Sequence, residues 1–170
     1  MEFSITKKAS NLSRGLFIVG LISIIIGVAL NYDSEHFATR LLGSGLANAF
    51  FFFALGLGAL FFLALNYATE AGWYAVVKRV IESVALYLPY GIGALALVLL
   101  IISFMKGAHI YLWMDDHFIH TDKIIEGKTP YLNVVFFWIR TVVYFTVYLL
   151  FLRGFRKRSL LEDQEGGTNL

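Results

Sequence analysis

The stretch YLNVVFFWIRTVVYFTVYLLFL, Tyr131–Leu152, decides the fold class. It is long enough to cross a bilayer as one helix, because a span needs about 20 apolar residues. It also carries Arg140 in its middle. A charge at that depth costs roughly 2.5–3.5 kcal/mol on insertion scales, so it belongs against a partner helix or a wet cavity rather than lipid. At helical spacing Asn133, Arg140, Thr141, Tyr144 and Tyr148 share one side of the rod. That polar stripe needs covering neighbours, and the rest of the chain supplies them.

The 170 residues are 58% hydrophobic, 16% aromatic and only 15% charged, and the mean hydropathy of +0.70 lies far from the balance of a soluble domain. Such a chain is expected to be an all-α, polytopic transmembrane helical bundle with four spans and no separate soluble domain. Cys is absent, which excludes disulfides, thiolate iron–sulfur ligation and thioether haem attachment within the chain. A formal net charge of +2 gives no footprint for nucleic acid, and no Gly-rich loop follows a strand pattern as nucleotide binding requires.

The spans are expected at about 16–32, 46–65, 84–104 and 131–152. The first follows a basic start, residues 1–15, as a signal peptide would. Its end, Val28-Ala29-Leu30-Asn31, lacks a small-x-small cleavage site, and Gly20, Ser23 and Gly27 share a helix-packing face. Gly43-Ser44-Gly45 reads as a breaker ahead of span two, in which Ala54 and Gly58 offer close approach. Asn66–Ser83 is the first densely charged segment, an interfacial stretch in which Lys78, Arg79 and Glu82 can pair and Trp73 and Tyr74 suit the headgroup layer. Pro89 should kink span three near its start, with Ala85, Pro89 and Gly93 as a small-residue face. In the loop 106–130, Tyr111 and Trp113 read as interface anchors, and a short turn over Asp122–Glu126 closes at Gly127. Thr129-Pro130 then starts span four, as N-cap and first helical residue. After Leu152 a basic and then polar tail, residues 153–170, is expected to be exposed and mobile.

Nine Lys and Arg residues fall on the side of the two termini and the link between spans two and three, against four on the other side. Both termini are therefore expected in the cytoplasm, N-in and C-in.

Three constellations carry candidate chemistry. Arg140, with Tyr144 aligned beside it, is either a buried structural cation or part of a site for a quinone head group, a lipid phosphate or a proton path. Glu70 and Glu82 are either members of a self-neutralised interfacial helix or carboxylates admitting protons from the cytoplasmic face. His109, Asp115, Asp116, His117 and His120 lie close in sequence, but they match no metal-ligand motif of fixed spacing; the bland reading is a solvated, titratable outer loop. No catalytic or metal site is assigned.

Two stretches carry a family resemblance: ATEAGWYAVVKRVIESVALYLP, Ala68–Pro89, and HIYLWMD followed by GKTPYLNVVFFWIRTVVYF, within His109–Phe145. They resemble the N-terminal part of a membrane subunit, called F, of alternative complex III, the bacterial quinol:cytochrome c oxidoreductase, a relative of polysulfide-reductase-type membrane anchors. The resemblance implies a multi-pass subunit of the bacterial inner (cytoplasmic) membrane, beside a homologous multi-span subunit and in contact with membrane lipid. It implies haem c and iron–sulfur clusters in partner subunits, none in this chain, with quinone binding and proton movement as possible roles. Family subunits continue through further spans, so the chain is read as part of a longer subunit. A purely structural membrane subunit and half of a secondary transporter are the rival readings, the latter lacking a pair of broken helices in corresponding positions.

Overall fold

The computed structural model describes residues 7–34, 36–105, 110–114 and 123–165. The described residues are all helix, turn or irregular. The helices are α1 (Lys7–Asn31), α2 (Phe37–Ala68), α3 (Lys78–Ala85), α4 (Leu88–Phe104), α5 (Lys123–Gly127) and α6 (Val134–Glu165), with 3-10 turns at Gly72–Val76 and Leu112–Met114. Among the described residues, four helical stretches are long and apolar enough to cross a membrane: α1, α2, α3 with α4, and α6 through Gln164. The chain is a multi-pass membrane protein of the all-α class.

Two compact units divide at residue 41. In the first, α1 is an apolar helix in which two polar side chains turn back on their own backbone. Ser23 Oγ donates to the Val19 carbonyl at 2.9 Å and Asn31 Nδ2 to the Gly27 carbonyl at 2.9 Å. Where no water is present, this is how a lone hydroxyl or amide is satisfied inside a helix.

The second unit, from Leu42 onward, holds the core. Ala49, Phe53, Gly56, Leu60 and Leu63 form the buried stripe of α2, and Leu88, Ile92, Leu95 and Leu99 that of α4. Both stripes advance in steps of three and four, the spacing that keeps one seam of a helix facing a partner. At the seam, small residues rather than hydrophobicity set how closely the helices come, since lipid tails are as apolar as Leu. A Cβ on Gly56 would stand 2.9 Å from Leu88 Cα, and one on Gly91 2.9 Å from Phe53 Cα. Each helix thus contributes one glycine to a reciprocal contact. The close-approach positions are these two, not Ala54, Gly58 or Gly93: Ala54 is exposed, and a Cβ on Gly58 or Gly93 would meet nothing within 4 Å.

The third wall is α6. Phe145 and Tyr148 place their rings 5.8 and 6.1 Å from Phe53, Phe155 stacks on Tyr67 at 5.3 Å, and Trp138 Nε1 donates to Ser103 Oγ at 3.2 Å. Residue numbers therefore rise together along α2 and α6 and fall along α4, an up–down–up order.

Several helix boundaries differ from the sequence expectation. α2 begins at Phe37 and runs through Gly43-Ser44-Gly45 without a break. A Cβ on Gly45 would only just touch Val98, at 4.0 Å, and one on Gly43 would meet nothing within 4 Å; apolar surroundings keep the backbone hydrogen bonds inside the helix. α6 begins at Val134, because the Asn133 carboxamide accepts from the Phe136 N–H at 2.8 Å and is the cap. Thr129-Pro130 instead sits in the preceding turn, where Thr129 Oγ1 donates to the Glu126 carbonyl at 2.6 Å. Span three, by contrast, is broken near its start as Pro89 leads one to expect: α3 ends at Ala85 and α4 opens with Pro89 in its first turn. Finally, α6 does not end near Leu152 but continues to Glu165, with Ser159 fully buried. Residues 153–165 are a docked helical extension rather than a mobile tail.

Candidate functional site

That extension is held by charge. The Lys78 ammonium contacts the Glu162 carboxylate and the Arg79 guanidinium contacts Asp163. The buried Glu82 carboxylate accepts from Arg79 at 3.0 Å and from Arg156 at 3.1 Å, and Arg79 also reaches Ser159 Oγ at 3.2 Å. Lys78 lies 5.1 Å over the Tyr67 ring. Three cations and three carboxylates thus clamp α3 to the end of α6. The pairing of Arg79 with Glu82 is legible from their spacing of three; their long-range partners on α6 are not. Tyr74, buried beneath this cluster, has its hydroxyl pKa pushed up to about 12, chiefly by burial and then by the neighbouring Tyr67.

Glu70 lies on the surface in a quite different role. It has a φ of +49°, a left-handed conformation. Its N–H donates to the Tyr67 carbonyl at 3.5 Å, and the next N–H, of Ala71, reaches back to the Asn66 carbonyl at 3.2 Å. These bonds are the Schellman closure of α2, with Glu occupying the position usually given to Gly. Glu70 is the cap of a helix and Glu82 the centre of a clamp.

Arg140 stands at the other end. Because α6 starts at Val134, the residue lies about 9 Å in from the helix start rather than at mid-span. Its guanidinium carbon sits 3.8 Å from the centre of the Tyr131 ring and 4.8 Å from that of Phe136. A helical side chain leans toward the N-terminus, which carries this cation to the Tyr131 end and onto two π faces. The structure does not bring Arg140 together with Glu70 or Glu82. His109, Asp115 and Asp116, like His117 and His120, lie outside the described residues.

Next to Arg140 opens a groove of about 510 Å³. From α2 it takes Gly43, Leu46, Ala47, Phe50 and Phe53, and from α4 Leu95 and Leu99. Phe137, Thr141, Tyr144, Phe145 and Tyr148 of α6 form its third side, and Tyr111 closes one end. Tyr111 is placed by ring contacts with Trp113 at 5.8 Å and Phe137 at 6.4 Å, and burial raises its hydroxyl pKa. The polar stripe read from the sequence thus divides. Thr141, Tyr144 and Tyr148 line the groove, whereas Arg140 turns to the aromatic rings at its flank. Thr141 Oγ1 donates to the Phe137 carbonyl at 2.9 Å, which leaves the hydroxyl oxygen able to accept.

Chemically the groove is an apolar channel with hydroxyls along one side, suited to a flat lipophilic molecule that needs orientation by a few hydrogen bonds. Sequence reasoning found Tyr144 but missed Leu46, Ala47, Phe50 and Tyr111. The signal for the α2 wall was there: Gly43, Ala47 and Phe50 recur at steps of four and three. No family model matches the chain, and neither a curated protein nor a solved structure matches it.

Proposed function

We propose that the chain is an integral membrane subunit of a respiratory quinol:cytochrome c oxidoreductase of the alternative complex III type, and that the groove between α2, α4 and α6 is where a quinol lodges. The observation that carries the reading is the groove itself: about 510 Å³, walled by Phe50, Phe53, Leu95 and Leu99 and edged by Thr141, Tyr144 and Tyr148. A prenylated quinol offers a planar ring, a hydroxyl at each end and an apolar tail, and these walls complement all three. The narrower assignment to this complex is supported by the resemblance of Ala68–Pro89 and His109–Phe145. In this reading haem c and iron–sulfur clusters belong to partner subunits, and the chain binds and orients quinol without a redox centre of its own. The membrane is then the bacterial inner membrane, with both termini in the cytoplasm. Arg140, held on two rings beside the groove, sets the electrostatic potential near the bound head group.

The test uses the assembled complex. Ala47→Leu fills the groove, and Tyr144→Phe with Thr141→Val removes two of its hydroxyls. Complexes carrying these changes should keep normal haem content and lose quinol turnover, with Ala47→Leu raising KM. Unchanged turnover in both would refute the reading.

The clamp on Glu82 favours a second reading, a purely structural subunit whose role is to hold helices in register. That reading predicts full turnover in every groove variant that assembles, and loss of assembly on replacing Arg140 with Met.

A further inference from the structure

Along α6, at the edge of the core beside the Phe155–Tyr67 stack, Leu150, Phe151, Gly154, Phe155 and Arg158 line a second hollow of about 250 Å³. The space over Gly154 is open, since a Cβ there would meet nothing within 4 Å. One helical turn of apolar surface therefore lies open, with exposed Leu150 and Phe151 at one end and Arg158 at the other.

Among the described side chains the surrounding charge is one-sided. The carboxylates of Glu82, Glu162 and Asp163 are engaged by Arg156, Lys78 and Arg79. Arg153, Lys157 and Arg158 are all exposed, and at helical spacing they share an arc of about 140° that excludes the buried Leu152 and Ser159. Depth agrees with this arrangement. From Val134 to Arg153 the helix rises about 28 Å, close to the hydrocarbon thickness of a bilayer. If Val134 marks one edge of the hydrocarbon, the three cations stand at the opposite headgroup layer and the hollow lies just inside it.

We propose that this face binds one anionic phospholipid, an acyl chain occupying the hollow over Gly154 and the headgroup phosphate meeting Arg158, with Arg153 and Lys157 adding to the attraction. The one-sided charge selects a membrane lipid over a protein helix. An acidic partner helix would need its own apolar ridge, whereas anionic lipid presents phosphate and hydrocarbon in this order at this depth.

The experiment is native mass spectrometry of the full chain in detergent, titrated with phosphatidylglycerol or with phosphatidylcholine of identical acyl chains. The wild-type chain should retain one phosphatidylglycerol in clear preference to phosphatidylcholine. Arg158→Gln should cut that preference about fivefold while weak binding of both lipids persists. Gly154→Leu fills the hollow and should abolish retention of both. Its side chain points into open space, so the helix is unharmed, and a circular dichroism spectrum like that of wild type checks this. Inorganic phosphate should not compete. Equal retention of the two lipids by wild type, or phosphatidylglycerol retention unaffected by both substitutions, would overturn the proposal. So would displacement by inorganic phosphate, which would identify a simple anion site.

Discussion

Replacing Glu82 with Gln removes the charge at the centre of the clamp while keeping its size. Arg79 retains Asp163, but Arg156 loses the carboxylate it reaches at 3.1 Å. A hydrogen bond to a charged group is worth about 1.5–3 kcal/mol, and breaking one side of a fully buried pair costs about 3–5 kcal/mol. Here only the carboxylate is buried, at 5% exposure, while Arg79 and Arg156 keep 46% and 37% of their surface. Water compensates the stranded cations, and the net cost falls to about 2 kcal/mol. For a chain of this length that lowers Tm by about 4–8 °C. Thermal melting in a mild detergent, followed by circular dichroism, measures it. Arg156→Gln alone should cost about 1 kcal/mol, and the double variant about 2 rather than 3, because both changes break the same contact. A Glu82→Gln variant melting with the wild type, or strictly additive losses, would refute the clamp.

Four further outcomes are expected. Gly91→Ala drives a methyl to 2.9 Å from the Phe53 backbone and should cost about 1–3 kcal/mol, whereas Gly93→Ala, with open space around it, should be neutral or slightly stabilising; paired melting curves compare them. Glu70→Gly relieves a left-handed non-glycine cap and should raise stability by about 0.5–1 kcal/mol without changing activity, read from the same melts. Tyr74 has a native pKa of about 12 against an ordinary value of 10.0, so its contribution is complete below pH 10 and lost as pH rises through 12. Stability should fall in that window, and the difference in tyrosinate absorbance between wild type and Tyr74→Phe should titrate near pH 12. Phe136→Leu removes one of the two rings under Arg140 and should cost about 0.5–1 kcal/mol, measured by melting against an Arg140→Met background in which the loss should shrink.

The fold class was legible because it rests on apolar run length, which the bilayer dictates. The break at Pro89 was equally legible, since a missing N–H acts locally. What escaped was decided between helices. Gly43 and Gly45 look like breakers in isolation, yet α2 runs through them, because apolar surroundings leave the backbone no hydrogen-bond partners outside the helix. Arg153, Arg156, Lys157 and Arg158 look like an exposed tail until Glu82 takes Arg156, while Glu162 and Asp163 turn back to Lys78 and Arg79. Arg140 looked central because the span was counted from Tyr131; the Asn133 cap moves the helix start and brings the cation near one end. Of the site, the stripe of Thr141, Tyr144 and Tyr148 was visible in helical spacing, but the α2 wall facing it depends on which faces meet across the bundle.

The most direct test of the central claim is to solubilise the native membrane gently, capture this chain, and measure the optical spectrum together with the quinone extracted from the captured particle. The account predicts a c-type haem band and extractable quinone travelling with the chain, with quinone depleted and haem retained in the Ala47→Leu particle. A particle free of both haem and quinone would contradict it.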